Sequence, residues 1–287
     1  MHLTLIRAAV IAALSFSAPV LAQTKAAKSE TYKDIIEKAY NLSLQKDRQQ
    51  ALNILANAIQ KESRTPAVAE LKKTVQDIGH VFFSDKAQSL YETAVSMRRT
   101  DLQQSQIKMN EALRIEPDNF EILNEAARLM IAKNDCASAA ELVQKQLRVI
   151  NFDEELNLTM AQALACQSKW AEYLLLFDAY GPKKSTLAKY WWPLETERYL
   201  AAKNTSKAQE SLASLKKLDP KYPEYFYWQW RIDQGLQKKN KEDALKYVMT
   251  CKNISANQYR QYMMDPALCR RTTEVDGELK GMNGSAE

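Results

Sequence analysis

The chain has 287 residues, 40 of them basic and 35 acidic, with 6 glycines, 4 cysteines and 2 histidines. At 46% hydrophobic and 26% charged it is globular in composition, which excludes a disordered or collagenous chain, and its length accommodates one or two domains. So few glycines argue against a turn-rich sandwich or barrel and against a Gly-rich nucleotide fold, and neither GxGxxG nor a P-loop pattern occurs.

The N-terminus reads as a targeting segment. Arg7 precedes an apolar run from Ala8 to Phe16, and a small-residue stretch ends at Ala22. This is the pattern of a secretory signal peptide over residues 1–22, cleaved after Ala22. The run Ala8–Ala22 is 15 residues, short of the ~20 that cross hydrocarbon. No later stretch is long and apolar enough, so no stable membrane insertion is expected after cleavage. Cleavage removes Arg7 and leaves 39 basic against 35 acidic residues, a balance of +4. That is too weak and too dispersed for a nucleic-acid partner. Residues 23–29 are expected to be disordered.

Helical spacing begins at Tyr32 and continues through Ala39, Ala51, Leu55 and Ala58. Val68, Leu71, Val75, Ile78 and Phe82 predict a further helix near 66–83. It carries His80, the one histidine of the mature chain, which has no second histidine to pair with and reads as a packed or surface residue. Over 85–118 the marks are Ser105, Met109, Ala112 and Pro117; from Phe120 they are Ala127, Met130, Ala139 and Val143. From Glu154 come Ala161 and Trp170, with Tyr173 where an alanine is expected. From Lys189 come Trp192, Tyr199, Ala208, Leu212 and Pro220, and from Tyr225 come Trp228, Ala244 and Val248. Residues 255–264 predict a short cap, and 265–287 a tail, frayed from Thr272 on, where Gly277, Gly281 and Gly284 fall. Four cysteines in an exported chain imply two disulfides, and four cysteines allow three pairings.

This phase of small and large apolar residues resembles the 34-residue tetratricopeptide repeat, in the form of an exported bacterial-type protein. About six units cover 32–258. The resemblance implies an all-α fold, an α-solenoid of stacked antiparallel helix pairs with a right-handed superhelix, over residues 30–264. Small residues at the eighth and twentieth positions let paired helices approach, and the twenty-seventh admits the next unit. In the same frame Cys136 pairs with Cys166, tying neighbouring units, and Cys251 with Cys269, pinning the tail.

The family binds peptides or partner domains on a concave face lined by the first helix of each pair. Carried over, its groove positions are Lys33, Ile36 and Tyr40, then Glu121, Asn124 and Arg128, then Leu158 and Gln162. The last two units add Tyr190, Glu197, Phe226, Gln229 and Asp233. Asn124 and Arg128 alone do not make the family's clamp for C-terminal carboxylates. The resemblance therefore implies a non-enzymatic scaffold, periplasmic or otherwise secreted, that holds an envelope protein or peptide. No catalytic constellation, metal site or cofactor motif is found. Aromatic residues crowd 190–230. Packing between the last two units is the first explanation. The alternative is a stacking platform of Trp191, Tyr222, Tyr225 and Trp230 for a cell-wall glycan.

Overall fold

Most helices here come in pairs joined by the same short turn, and that turn recurs in the backbone angles. The computed structural model describes residues 30–238 and 240–284, which hold fifteen helices and no strand. The expected signal peptide and the segment 23–29 lie outside the described residues. The chain divides after Thr31, and all the helices belong to the unit from Tyr32 on. α1 (Tyr32–Leu44) pairs with α2 (Arg48–Lys61), and α3 (Thr65–His80) stands alone. α4 (Asp85–Met97) pairs with α5 (Leu102–Ile115), and α6 (Phe120–Ala132) with α7 (Cys136–Leu147). α8 (Glu154–Cys166) and α9 (Trp170–Tyr180), α10 (Ala188–Ala201) and α11 (Thr205–Leu218), and α12 (Pro223–Gly235) and α13 (Glu242–Asn253) follow. α14 (Ala256–Gln261) and α15 (Thr272–Gly284) close the chain. The two helices of each pair pack together, and α1, α3, α6, α8, α10 and α12 touch in series as one layer. This is an α-solenoid.

Five pairs share one turn. Lys46, Asn134, Ser168, Lys203 and Gln237 adopt left-handed backbone, the last four 34 or 35 residues apart. At each, the next residue's N–H reaches back five positions: Asp135 to the Met130 carbonyl, Lys169 to Leu164, Asn204 to Tyr199. This closes the first helix of the pair without glycine. Asp47, Asp135 and Asn204 then cap the second helix with their side chains, accepting the N–H of Gln50, Ser138 and Lys207. One residue thus ends one helix and starts the next, which fixes the hairpin.

The small residues sit at the closest approaches. Ala39, Ala51, Ala127, Ala139, Ala161, Ala208, Ala244 and Ser105 have no exposed surface. Tyr173, standing where the fourth pair lacks its alanine, is also fully buried. The extra helix α3 is bolted in by Arg48. That guanidinium is buried, ion-pairs with Glu116 at 2.8 Å and Asp118 at 2.7 Å, and donates to the carbonyls of Ile78 and Val81. Cys136 and Cys166 lie at disulfide distance, with Cα atoms 6.0 Å apart, as do Cys251 and Cys269 at 5.3 Å. These are the pairs the repeat frame selects.

The tail departs from expectation. Residues 272–284 are helix, not frayed chain, and α15 packs on α13 through Val275 and Leu279, both buried. Its glycines are tolerated because they add nothing to that contact: a Cβ at Gly277 or Gly281 would meet nothing. Among the described residues no helix is long and apolar enough to cross a membrane.

Candidate functional site

The face expected to be an open groove is partly filled by the chain itself. Between α13 and α15 the segment 254–271 returns across the layer of first helices. Side chains from distant elements grip its backbone: Arg99 donates to the Ile254 carbonyl (2.6 Å), Tyr190 to Gln261 (2.8 Å) and Gln162 to Met264 (2.8 Å). Arg98 takes two carbonyls, Met263 at 2.5 Å and Asp265 at 2.9 Å, while its ion pair with buried Glu125 (2.9 Å) neutralises it. The segment answers with Arg270, which donates to the Ile131 carbonyl at 3.3 Å.

Two carboxylates anchor the far end. Asp265 accepts the buried Tyr222 hydroxyl, whose pKa burial and that carboxylate push well above its usual range. Glu224 accepts the Cys269 N–H (2.8 Å) and the Tyr247 hydroxyl (3.2 Å) and faces Arg271 at 3.2 Å. Burial outweighs the Arg271 charge and raises Glu224 to about 7. The Cys251–Cys269 pair spans the base of the segment.

Burial sorts the expected groove residues, and the return segment covers Gln162 and Tyr190 among them. Asn124, Arg128, Leu158, Gln162, Tyr190 and Asp233 are buried, so they are not an open groove. Asn124 takes Thr159 as partner (2.9 Å) and Arg128 pairs with Glu125 (3.1 Å). Asp233 is spent on Gln229 and Asn240. Glu197, Gln229, Phe226, Glu121 and Ile36 are half-buried, and Lys33 and Tyr40 exposed. Three buried polar atoms on this face lack a hydrogen-bond partner, Asn124 Nδ2, Arg128 Nη1 and Gln162 Oε1, although Arg128 Nη1 stands 3.8 Å from the Glu155 carboxylate.

The aromatic platform is a correction. Trp191, Tyr222 and Trp230 are at most 1% exposed and Tyr225 8%. They cannot present a stacking face. Neighbouring helices and the return segment share the reason: Trp191 packs on Tyr173 and Phe177 of α9, 6.3 and 6.2 Å away, and Tyr222 lies 4.8 Å from the Tyr262 ring of the segment and 6.1 Å from Tyr190.

What stays open lies toward the N-terminal ends of α6 and α8. A cavity of about 400 Å³ there is lined by Lys72, Lys73, Gln76, His80, Glu155 and Thr186 among others. Tyr40 joins α3 next to it, donating to Asp77 at 3.2 Å. His80 bridges α3 and α6, with Nδ1 2.9 Å from Glu121 and Nε2 3.0 Å from Gln76, and Asp153 acts through space at 3.9 Å. Burial alone would lower its pKa, but the Asp153 and Glu121 carboxylates raise it to about 10. A second cavity of about 460 Å³, between α9 and α11, is lined by half-buried Phe177, Trp192 and Tyr199 with Lys183 and Lys207.

Arg98, Glu125, Glu224 and Asp265 were not singled out from sequence. Each is an ordinary charged residue on a helix or turn, and its burial depends on a contact more than forty positions away for Glu224 and more than a hundred and fifty for Arg98. Comparison with models of known protein families finds no match, and no curated protein matches the chain.

Proposed function

We propose that the protein is a non-enzymatic scaffold outside the cytosol, of tetratricopeptide-repeat type, that holds an envelope protein or peptide on its inner layer. One observation carries this reading. Side chains from α8, α10 and the α4–α5 turn already hold a peptide backbone on that layer, the chain's own segment 254–271. Carbonyl-directed side chains on successive helices are how a groove holds a chain independently of its sequence. The partner's place is the part left open, around Tyr40, Lys73, Gln76 and His80. The signal-peptide pattern and two cysteine pairs at disulfide distance favour an oxidising compartment, the periplasm or beyond.

The test is a cross-linked pull-down of the mature protein from its native envelope fraction. Tyr40→Ala with Lys73→Glu, both exposed, removes one dominant captured protein, while Arg114→Gln on the surface of α5 leaves it. Equal capture by both variants sinks the assignment.

A carbohydrate reading survives only at the other cavity, where Trp192 and Tyr199 are half-buried and lysines stand at the rim. It requires glycan fragments to quench tryptophan fluorescence in the wild type and not in Trp192→Ala.

A further inference from the structure

The return segment also builds a third cavity, of about 340 Å³, that the scaffold reading does not use. Its walls are the α4–α5 turn, the end of α13 and the stretch around the Cys251–Cys269 pair. Four lining side chains are cationic, Arg98, Arg99, Lys252 and Arg270, and no aspartate or glutamate lines it. Tyr259 and Thr272 add hydroxyls.

The charges are unequally neutralised. Arg98 is balanced by Glu125 at 2.9 Å, and Lys252 shares Asp276 with Lys280. Among the described residues Arg99 and Arg270 have no carboxylate within ion-pair distance. Each spends one N–H on a backbone carbonyl, Ile254 for Arg99 and Ile131 for Arg270. A guanidinium carries five N–H donors in a fixed fork, so each keeps donors to offer while its position is set. Partial desolvation, with the like charges of Arg271 and Arg98 behind it, lowers the Arg270 pKa. A folded chain that gathers like charges without a counterion is disfavoured unless something else supplies the charge.

We propose that this cavity is an oxyanion site that takes a phosphate group, held between the forks of Arg99 and Arg270 with Lys252 at the rim. Phosphate suits it because guanidinium forks match its oxygens two at a time, and because its charge offsets two unpaired cations where a single carboxylate offsets one. The phosphate can belong to a soluble molecule or to a lipid headgroup, and the two sources are separable.

The experiment uses the full mature protein, with pyrophosphate as soluble probe in calorimetry at constant ionic strength and phosphatidylglycerol vesicles as lipid probe in flotation. The test variant is Arg99→Gln with Arg270→Gln, two exposed side chains. The control is Arg114→Gln with Arg148→Gln, which removes the same charge from exposed positions on α5 and after α7. Circular dichroism and urea midpoints verify that both fold. The proposal expects binding of one probe to weaken at least about tenfold in the test variant and to stay within about twofold in the control. Pyrophosphate binding alone names a soluble ligand; vesicle binding alone names a headgroup. Neither probe binding, or equal loss in both variants, overturns the site.

Discussion

Replacing Arg98 by methionine tests how firmly the return segment belongs to the solenoid. Arg98 is 5% exposed, pairs with fully buried Glu125 and holds the carbonyls of Met263 and Asp265. Glu125 is not stranded by the change, because Arg128 Nε remains 3.1 Å away. Losing one of two charged partners costs the carboxylate roughly 2 kcal/mol. Each released carbonyl loses roughly 1 kcal/mol. The apolar methionine side chain offsets about 1 kcal/mol by its own burial. The net expectation is a destabilisation of about 3 kcal/mol, read as a lower urea midpoint at unchanged m-value. Arg98→Lys keeps the charge without the fork and falls between. Arg114→Met on the exposed face of α5 serves as baseline, within about 0.5 kcal/mol of wild type. A loss below about 1 kcal/mol for Arg98→Met refutes the reasoning, since it means these contacts do not hold the segment.

Other consequences are as direct. Cys251→Ala with Cys269→Ala opens a link of sequence separation 18 and is expected to cost ~3 kcal/mol, with faster proteolysis within 254–271 than elsewhere; unchanged cleavage would contradict the pinning role. Gly79→Ala improves helix propensity by about 1 kcal/mol, yet its Cβ would lie 2.3 Å from the fully buried Phe120 ring. Overpacking wins, and the variant is expected to lose about 2 kcal/mol by thermal or urea unfolding. His80 titrates near 10 in the fold against about 6.5 unfolded, so its contribution is whole below pH 6.5 and fades as pH rises toward 10. Discounted for the exposed quarter of its side chain, the loss between pH 6.5 and 9 is about 2 kcal/mol. His80→Asn flattens that limb of the stability curve; an unchanged slope removes His80 from the α3–α6 joint. On the acid side, Glu121, held below its usual range first by the His80 hydrogen bond, loses its share as pH falls through its folded pKa.

The paired helices and their spacing were legible in the sequence because that information is local. Alanines and a serine at fixed intervals mark where two helices touch, and those residues are buried as expected. The cysteine pairs follow from the same frame, since it places each partner at one end of the stack. The return of 254–271 was not legible. It is held through its backbone carbonyls, which every sequence possesses, and its helix α14 is only six residues long. Trp191, Tyr222, Tyr225 and Trp230 are buried, which leaves packing as their explanation and removes the platform alternative; of the four, Tyr222 is covered by the return segment, through the Tyr262 ring. Asn124, Arg128 and Gln162 are expected to line the groove because the frame places them on that face, but all three are buried, Gln162 beneath the return segment and Asn124 and Arg128 against Thr159 and Glu125. Glycines at 277, 281 and 284 suggested fraying, whereas α15 is held by Val275 and Leu279 on its other side.

The central claim, that the chain occupies part of its own inner layer, is tested most directly by hydrogen exchange on the protein, read by mass spectrometry over peptides spanning 254–271. The Cys269 amide donates to buried Glu224 and the Asp265 and Ala267 amides are bonded within the segment. The account predicts that peptides covering 262–270 exchange as slowly as those of α10 and α12, and that Arg98→Met speeds them without speeding α1 or α2. Exchange of 262–270 at the rate of an unstructured chain, with α10 and α12 still protected, would contradict it and leave the inner layer an open groove.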